Sequence, residues 1–296
     1  MPLFIEHLHS RRRFLGRMSA VAATFVIHPL GAAASASSAR LTLFSDTHVP
    51  EDGTESYRGF WPAENLQRAV GMMMEYGPET AVLSGDAARL EGRPGDYRRL
   101  RKLLHPLLRQ CPVAIGMGNH DDRANFRRVF TGKAPGEARV ADRLVMVLEW
   151  PVVRVMVLDS LLFVNHVPGL LGKAQREWLR TFLARHDSRP TVLIMHHPPG
   201  DNDGDLLDSD RLLRLIRPYR QVKALIFGHT HVWQCRALED GLQLINLPAV
   251  GYNFSETQPI GWVGARFTRE GVDLTLHTLG GNEEEDGWTT SLAWRR

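Results

Sequence analysis

Leu41-Thr42-Leu43-Phe44-Ser45-Asp46-Thr47-His48 joins a short apolar run to a pair of polar residues. The run has the length and composition of a buried β-strand. Asp46 and His48 follow it at its carboxyl end. In an open α/β sheet, ligands bind at that end of the strands. The stretch therefore predicts an α/β fold with a polar site at the edge of a sheet.

The same alternation of apolar runs and helical patterns continues along the chain. Helices are predicted over residues 62–76, 95–108 and 173–186, and strands over residues 40–44, 80–84, 113–117, 144–149, 152–158, 191–195, 224–227, 242–247, 262–268 and 272–279. Strands that alternate with helices favour parallel pairs joined by crossover helices. Turn residues separate the last strands, which is typical of a meander. We expect residues 40–296 to form a single domain, a four-layer α/β/β/α sandwich of two mixed β-sheets flanked by helices.

Five of these strands end in Asp, His or Asn. The polar segments are Asp46-Thr47-His48, Gly85-Asp86, Gly118-Asn119-His120-Asp121, His196-His197 and Gly228-His229-Thr230-His231. Residues i and i+2 of an extended segment project to the same side. The two Asp-x-His and His-x-His pairs are therefore each expected to face one site.

These side chains offer carboxylate, imidazole and amide ligands without a thiolate. That mixture suits zinc, manganese or iron. Seven such groups exceed the needs of one tetrahedral site. They suit two ions that share a bridging carboxylate about 3.5–4 Å apart, the arrangement that assists in-line phosphoryl displacement.

In this order, the five segments resemble the signature of the calcineurin-like metallophosphoesterase superfamily. The resemblance implies that Asp46, His48 and His231 hold the first ion, that Asn119, His196 and His229 hold the second, and that Asp86 bridges both. It implies two divalent or trivalent ions, iron, manganese or zinc, and a metal-bridging hydroxide as nucleophile. His120 would be the unligated imidazole that contacts the phosphate or protonates the leaving group.

Several roles around this set have alternatives. We expect His120 and Asp121 to be catalytic, and Asn119, His120, Arg123 and His197 to contact the substrate. Asp121 either orients His120 or caps the short helix that runs toward Phe130. His197 either contacts substrate or only shapes the loop that follows it. Asp159 is expected to anchor a loop rather than to bind a metal.

Two further stretches, residues 118–124 and 158–179, resemble the class III branch of cyclic-nucleotide and glycerophosphodiester phosphodiesterases. The purple acid phosphatase branch would have a tyrosine three residues after the bridging aspartate, where this chain has Arg89. We therefore expect a phosphodiesterase. The alternatives are a phosphomonoesterase with the same metal site and a non-catalytic exported protein that binds a metal or ligand on this scaffold.

The amino terminus is typical of an export signal. Ser10-Arg11-Arg12-Arg13-Phe14-Leu15 precedes an apolar stretch and a run of small residues. Residues 1–39 are expected to be a twin-arginine-type signal that the twin-arginine export machinery reads and that is then removed. A basic arm or a retained anchor is the alternative. The mature chain is expected to have no membrane span, because the apolar part is short, and to be periplasmic or extracellular.

Net charge gives no sign of a nucleic-acid partner. The formal charge is +3, and the four arginines and one glutamate before residue 37 account for all of it. We therefore expect no stable nucleic-acid partner and a small phosphodiester as substrate. With only Cys111 and Cys235, the chain is neither a disulfide scaffold nor a cysteine-ligated zinc protein. The sequence leaves the oligomeric state open.

Overall fold

The computed structural model describes residues 3–4, 37–131 and 137–296. Most of the predicted export signal lies outside these residues. In chain order the elements are β1 (Leu3–Phe4), β2 (Ala39–Phe44), α1 (Pro62–Tyr76), β3 (Thr80–Leu83), α2 (Pro94–Gln110), β4 (Val113–Ile115), α3 (Arg123–Val129), β5 (Glu137–Val140), β6 (Arg143–Glu149), β7 (Arg154–Val157), α4 (Gly172–Arg185), β8 (Thr191–Ile194), α5 (Ser209–Ile216), β9 (Val222–Phe227), β10 (Gln234–Ala237), β11 (Gln243–Asn246), β12 (Pro259–Phe267), β13 (Gly271–Gly281) and β14 (Thr289–Ala293).

The strands form two seven-stranded mixed sheets. The first has the order β1-β4-β3-β2-β12-β13-β14, and the second has the order β10-β11-β9-β8-β7-β6-β5. Strands β2, β3 and β4 are parallel, as are β7, β8, β9 and β11, while the outer pairs are antiparallel. The predicted fold class is confirmed.

Three cores separate the four layers. Leu43 and Val82 of the first sheet pack against Val192 and Ile226 of the second, which fills the space between the sheets. Helices α1 and α2 cover the outer face of the first sheet, and α4 and α5 cover the outer face of the second. Successive side chains of a strand point to opposite faces of its sheet and are therefore buried in two different cores. For this reason the sequences of the central strands are continuous apolar runs.

Helix α1 illustrates how local sequence sets the element bounds. Pro62 occupies its first turn, where a missing N–H costs nothing. Leu66, Ala69, Val70 and Met73 are buried at the spacing of one helix face. At Gly77 the backbone turns left-handed, with φ of 66°, and its N–H bonds to the carbonyl of Met73. The predicted bounds of this helix are the observed ones.

Other elements differ from the prediction at the edges of the sheets. The short strands β10 and β14 and the eight-residue helix α5 were not predicted. Strand β10 is mostly exposed and lacks an apolar run, so pairing with β11 rather than its own composition makes it a strand. Within the described residues, no helix is long and apolar enough to cross a bilayer. Cys111 and Cys235 are both free thiols.

Candidate metal centre

The loops that follow β2, β3 and β4 in the first sheet meet the loops that follow β8 and β9 in the second. The first sheet supplies Asp46, His48, Asp86 and Asn119, and the second supplies His196, His229 and His231. Six of these seven residues are at most 2% exposed, and His229 is partly buried. The site therefore lies at a junction of the two sheets.

The backbone at these loops is not extended. Asp46, His48, Asp86, His229 and His231 all have positive φ, between 43° and 72°. The expectation that Asp46 and His48 converge because they lie i and i+2 in an extended segment is wrong in its geometric basis. Each strand ends before the ligand pair, and left-handed residues turn the side chains inward. Such a conformation costs a non-glycine residue about 1–3 kcal/mol. Strained residues of this kind cluster at functional sites.

Asp46, His48 and His231 form the first half of the centre. The Asp46 Oδ1 lies 3.4 Å from the His231 Nε2 and 3.8 Å from the His48 Nε2. The two imidazole Nε2 atoms are 3.2 Å apart. Three potential ligand atoms thus point at one small volume, as the first-metal prediction requires.

Backbone carbonyls orient the two imidazoles. The His231 Nδ1 lies 2.6 Å from the carbonyl oxygen of Tyr252, and the His48 Nδ1 lies 3.3 Å from that of Arg89. A proton on Nδ1 donated to a carbonyl leaves the Nε2 lone pair free for a metal. Sequence reasoning missed Tyr252, whose ring also stacks on His48 at 4.8 Å. Because every residue has a backbone carbonyl, the amino-acid type of Tyr252 does not indicate this contact.

Asp86 lies between the two halves. Its Oδ2 is 3.8 Å from the His48 Nε2 and 3.2 Å from the His196 Nε2. The His196 Nε2 is in turn 3.7 Å from the Asp46 Oδ1. Asp86 thus lies within reach of the ligand atoms on both sides, as the predicted bridging role requires.

His196, His197 and His229 make up the second half, with Asn119 beside them. One ring nitrogen of each histidine lies within 4.8 Å of the others. The Ser160 Oγ accepts the backbone N–H groups of His196 and His197 and lies 2.8 Å from the His197 Nδ1. With both lone pairs used, this hydroxyl donates its proton to the His197 Nδ1. In that tautomer His197 carries its own proton on Nε2, a buried atom without a hydrogen-bond partner.

The unpartnered atoms of the site fit a cation. Asp46 Oδ1, Asn119 Oδ1 and both ring nitrogens of His196 are buried and have no hydrogen-bond partner. Buried polar atoms without partners are rare and costly. These are all oxygen or nitrogen ligand atoms, and those of Asp46, Asp86 and His196 lie within 4.8 Å of one another. The donor set can therefore hold metal ions.

The pKa shifts of the buried histidines are consistent with a site that binds cations. Burial lowers the pKa of His48 to about 3, against the opposing effect of Asp86, and burial together with His196 lowers the pKa of His229 to about 4. Burial also disfavours the charged form of His196, but Asp86 and Asp46 outweigh it and raise the pKa of His196 to about 9. The two carboxylates thus attract a cation to the position that the His196 Nε2 faces.

His120 lies at the outer side of Asp86. Its side chain is 18% exposed, and its Nε2 is 3.9 Å from the Asp86 Oδ2. The Nδ1 lies 2.9 Å from the carbonyl oxygen of Leu90, and the backbone N–H donates to the Asp86 Oδ1 at 2.8 Å. The imidazole is therefore held by one nitrogen and presents the other toward the centre.

Asp121 connects two ligand loops. Its buried carboxylate accepts the N–H groups of Gly118, Ala87 and Ala88 at 2.9–3.2 Å and the Tyr97 hydroxyl at 3.0 Å. The cap of α3 is Asp122, not Asp121, since the Asp122 carboxylate accepts the N–H of Asn125. Burial and Asp86 raise the pKa of Asp121 to about 6. Its contacts are to backbone and Tyr97, which places it behind the site.

Arg123 forms an ion pair with the carboxylate of Asp159. Its guanidinium forms two bonds of 2.7 Å with Asp159, and Asp159 also accepts the N–H groups of Leu144 and Leu161. Asp159 is thus the loop anchor that the sequence predicted. A substrate phosphate would have to compete with this bidentate pair for Arg123.

Comparison with known proteins identifies the family. The calcineurin-like phosphoesterase family model matches residues 39–233. A cAMP/cGMP dual specificity phosphodiesterase of Mycobacterium tuberculosis is 30% identical over 240 residues, which cover 78% of this chain and 73% of that protein. A glycerophosphodiester phosphodiesterase of Enterobacter lignolyticus is 29% identical over 202 residues, which cover 64% of this chain and 70% of that protein.

A solved structure gives the same answer for the fold. The dimetal phosphatase from Danio rerio superimposes with a TM-score of 0.69 at 15% identity, covering 86% of this chain and 98% of that one. The family model matches about two thirds of the chain and includes all seven candidate ligands, from Asp46 to His231. The chain belongs to the calcineurin-like phosphoesterase family.

Proposed function

We propose that this protein hydrolyses phosphodiesters at a centre of two metal ions. The observation that carries the proposal is the convergence of ligand atoms on both sides of the Asp86 carboxylate. The oxygen and nitrogen donor set suits iron, manganese or zinc. Bound ions would supply an acidified water as nucleophile and neutralise charge on the phosphoryl oxygens. The relatives named as phosphodiesterases support the diester specificity.

The residues of the chain have separate tasks in this proposal. Asp46, His48 and His231 hold one ion, Asn119, His196 and His229 hold the other, and Asp86 contacts both. His197, with its proton on Nε2, donates to a phosphoryl oxygen. His120, held through Nδ1 by the Leu90 carbonyl, gives a proton from Nε2 to the departing oxygen when the imidazole is doubly protonated, and is left in its neutral form with the proton on Nδ1.

The test compares bis(p-nitrophenyl) phosphate with p-nitrophenyl phosphate on the metal-loaded protein at neutral pH. We expect a higher kcat/KM for the diester, and loss of both activities in Asp86→Asn, because that substitution weakens both ion sites at once. Equal or higher efficiency on the monoester would contradict the diesterase assignment and leave a phosphoesterase. Full activity of Asp86→Asn would contradict the shared-carboxylate site itself.

We also propose that the chain is exported and acts on diesters outside the cytoplasm, where hydrolysis would recover phosphate or nucleosides. Support comes from the sequence alone: Arg11 and Arg12 precede the apolar stretch, as a twin-arginine signal requires. Replacing both by Lys should retain the precursor in the cytoplasm. Normal processing of that variant would rule out the signal.

A further inference from the structure

Two loops beside the second half of the centre carry exposed apolar side chains. In the described part of the chain ten large apolar residues are exposed, and four of them lie in these loops. They are Phe163, Val164, Val167 and Leu207, at 68%, 36%, 53% and 61% exposure, and we name them the apolar rim. A grouping of this kind marks a site of interaction more often than isolated exposed residues do.

Backbone contacts fix the apolar rim next to the metal ligands. The N–H of Asn165 donates to the carbonyl of Asn119 at 2.6 Å, so the first loop is attached to a ligand loop. The N–H of Leu207 donates to the carbonyl of Gly169 at 2.9 Å, which joins the second loop to the first. The two loops of the apolar rim are thus joined to each other and to the loop that carries Asn119.

Gly204 shows how close the apolar rim comes to the ligands. A Cβ on this residue would lie 3.2 Å from the His229 Nε2 and 3.3 Å from the Val167 Cγ1. Val167 and the His229 imidazole therefore border the same narrow gap at Gly204, which is too small even for a methyl group. The apolar rim is thus a direct neighbour of a phosphate bound at the centre.

Two negative charges on the loop that contains Gly204 restrict the chemistry of a substrate arm bound at the apolar rim. Asp201 and Asp203 are both exposed beside Gly204. They would repel an anionic arm, and the four side chains of the apolar rim offer hydrocarbon contact beside the exposed Asn165 and His166. An uncharged hydrocarbon arm gains by leaving water for the apolar rim.

We propose that the apolar rim is a specificity subsite for the apolar arm of an amphiphilic phosphodiester, one that carries an alkyl or acyl chain. This rests on the proposed function, because the arm reaches the apolar rim only from a phosphate at the metal centre. It narrows the substrate class to diesters with one hydrocarbon arm.

The experiment uses a series of alkyl 4-nitrophenyl phosphates with methyl, butyl and octyl arms on the metal-loaded protein. The leaving group is constant, so chemistry at phosphorus changes little along the series. Full burial of one methylene is worth about fourfold in kcat/KM. Because the apolar rim is open on one side, we expect a total gain of about tenfold or more from methyl to octyl, measured below the concentration at which the octyl ester forms micelles.

Three variants test whether the gain in kcat/KM with chain length comes from the apolar rim. Phe163→Ser with Leu207→Ser should abolish the dependence on chain length and leave kcat/KM for the methyl ester unchanged, and Phe163→Leu should retain most of the dependence. Trp288→Ser is the matched control, since Trp288 is 65% exposed in the turn before β14, the edge strand of the first sheet. It should change neither value.

Each other outcome has a distinct meaning. Equal kcat/KM for all three esters would overturn the subsite while leaving the phosphodiesterase intact. No hydrolysis of any ester, the methyl ester included, would count against the proposed function instead. If the double Ser variant changes the molecular mass in light scattering and the chain-length dependence is absent, the apolar rim is a contact between copies of this chain and the proposal is wrong.

Discussion

At the scale of single residues, His120 differs from His48 and His231 in its exposure. Its side chain is 18% exposed, whereas those two histidines are at most 2% exposed. Its Nε2 lies 3.9 Å from the Asp86 Oδ2, in a group with His48 and Asp86 that does not include Asp46. A residue in this position can deliver a proton without holding an ion. The sequence predicted this division of roles from the resemblance alone.

His120→Ala should therefore lower kcat for a diester by about 10²–10⁴-fold, the usual contribution of a general acid. Metal content, measured by elemental analysis of the purified protein, should stay that of the wild type. His186→Ala is the control, because this exposed histidine stacks on Phe182 at the end of α4 and precedes β8, whereas His196 follows that strand. Loss of bound metal from His120→Ala would mean that this imidazole is a ligand.

Residue type predicted which side chains converge at the centre, but not the contacts that support them. Asp, His and Asn after five predicted strands are visible in the sequence. Because parallel strands end at one edge of a sheet, this placement predicts a shared site. Ser160, which assigns the proton of His197, and Tyr252, whose carbonyl orients His231, act through a hydroxyl and a backbone atom. Such contacts depend on loops brought together by the fold, and no local pattern encodes them.

At the scale of elements, the central strands were predictable and the edges were not. Strands β3 and β8 have apolar runs buried on both faces, a pattern that belongs to parallel strands under two layers. The edge strand β10 has one flank without a partner, and its residues are mostly exposed. The sequence also could not show the left-handed turns after β2, β3 and β9, since Asp and His adopt them here only under the constraint of surrounding structure.

The loop after β4 approaches the loop after β3 so closely that only glycine fits at position 118. A Cβ on Gly118 would lie 2.7 Å from the Cδ2 of His196 and even closer to the Asp86 carboxylate. Gly118→Ala should therefore displace the bridging carboxylate and weaken metal binding at least tenfold in a competition with a chelator. Activity should fall in parallel.

Gly71→Ala is the control for this substitution. Gly71 lies within α1, and a Cβ there would contact nothing within 4 Å. Alanine stabilises an exposed helical position by roughly 0.5–1 kcal/mol relative to glycine. Metal affinity should be unchanged and Tm slightly raised. Wild-type metal affinity in Gly118→Ala would show that the two loops can separate without cost.

At the scale of the whole molecule, the metal centre connects the two sheets. Asp46, His48, Asp86 and Asn119 follow strands of the first sheet, and His196, His229 and His231 follow strands of the second. Elsewhere the sheets meet through apolar packing between their inner faces. Ions bound at the centre would join the layers by direct ligation and would also compensate the buried carboxylates of Asp46 and Asp86.

Removal of metal should therefore destabilise the entire fold rather than one loop. A ligand present at a hundredfold excess over its Kd stabilises the folded state by about 2.7 kcal/mol. For a chain of this size, each kcal/mol shifts Tm by about 2–4 °C. We expect dialysis against a chelator to lower Tm by roughly 5–10 °C in a calorimetric scan, and addition of manganese or zinc to restore it. The Tm of Asp86→Asn should respond much less to the chelator, since its sites are already weak. A Tm of the wild type that is independent of chelator and added metal would show that apolar packing alone holds the two sheets together.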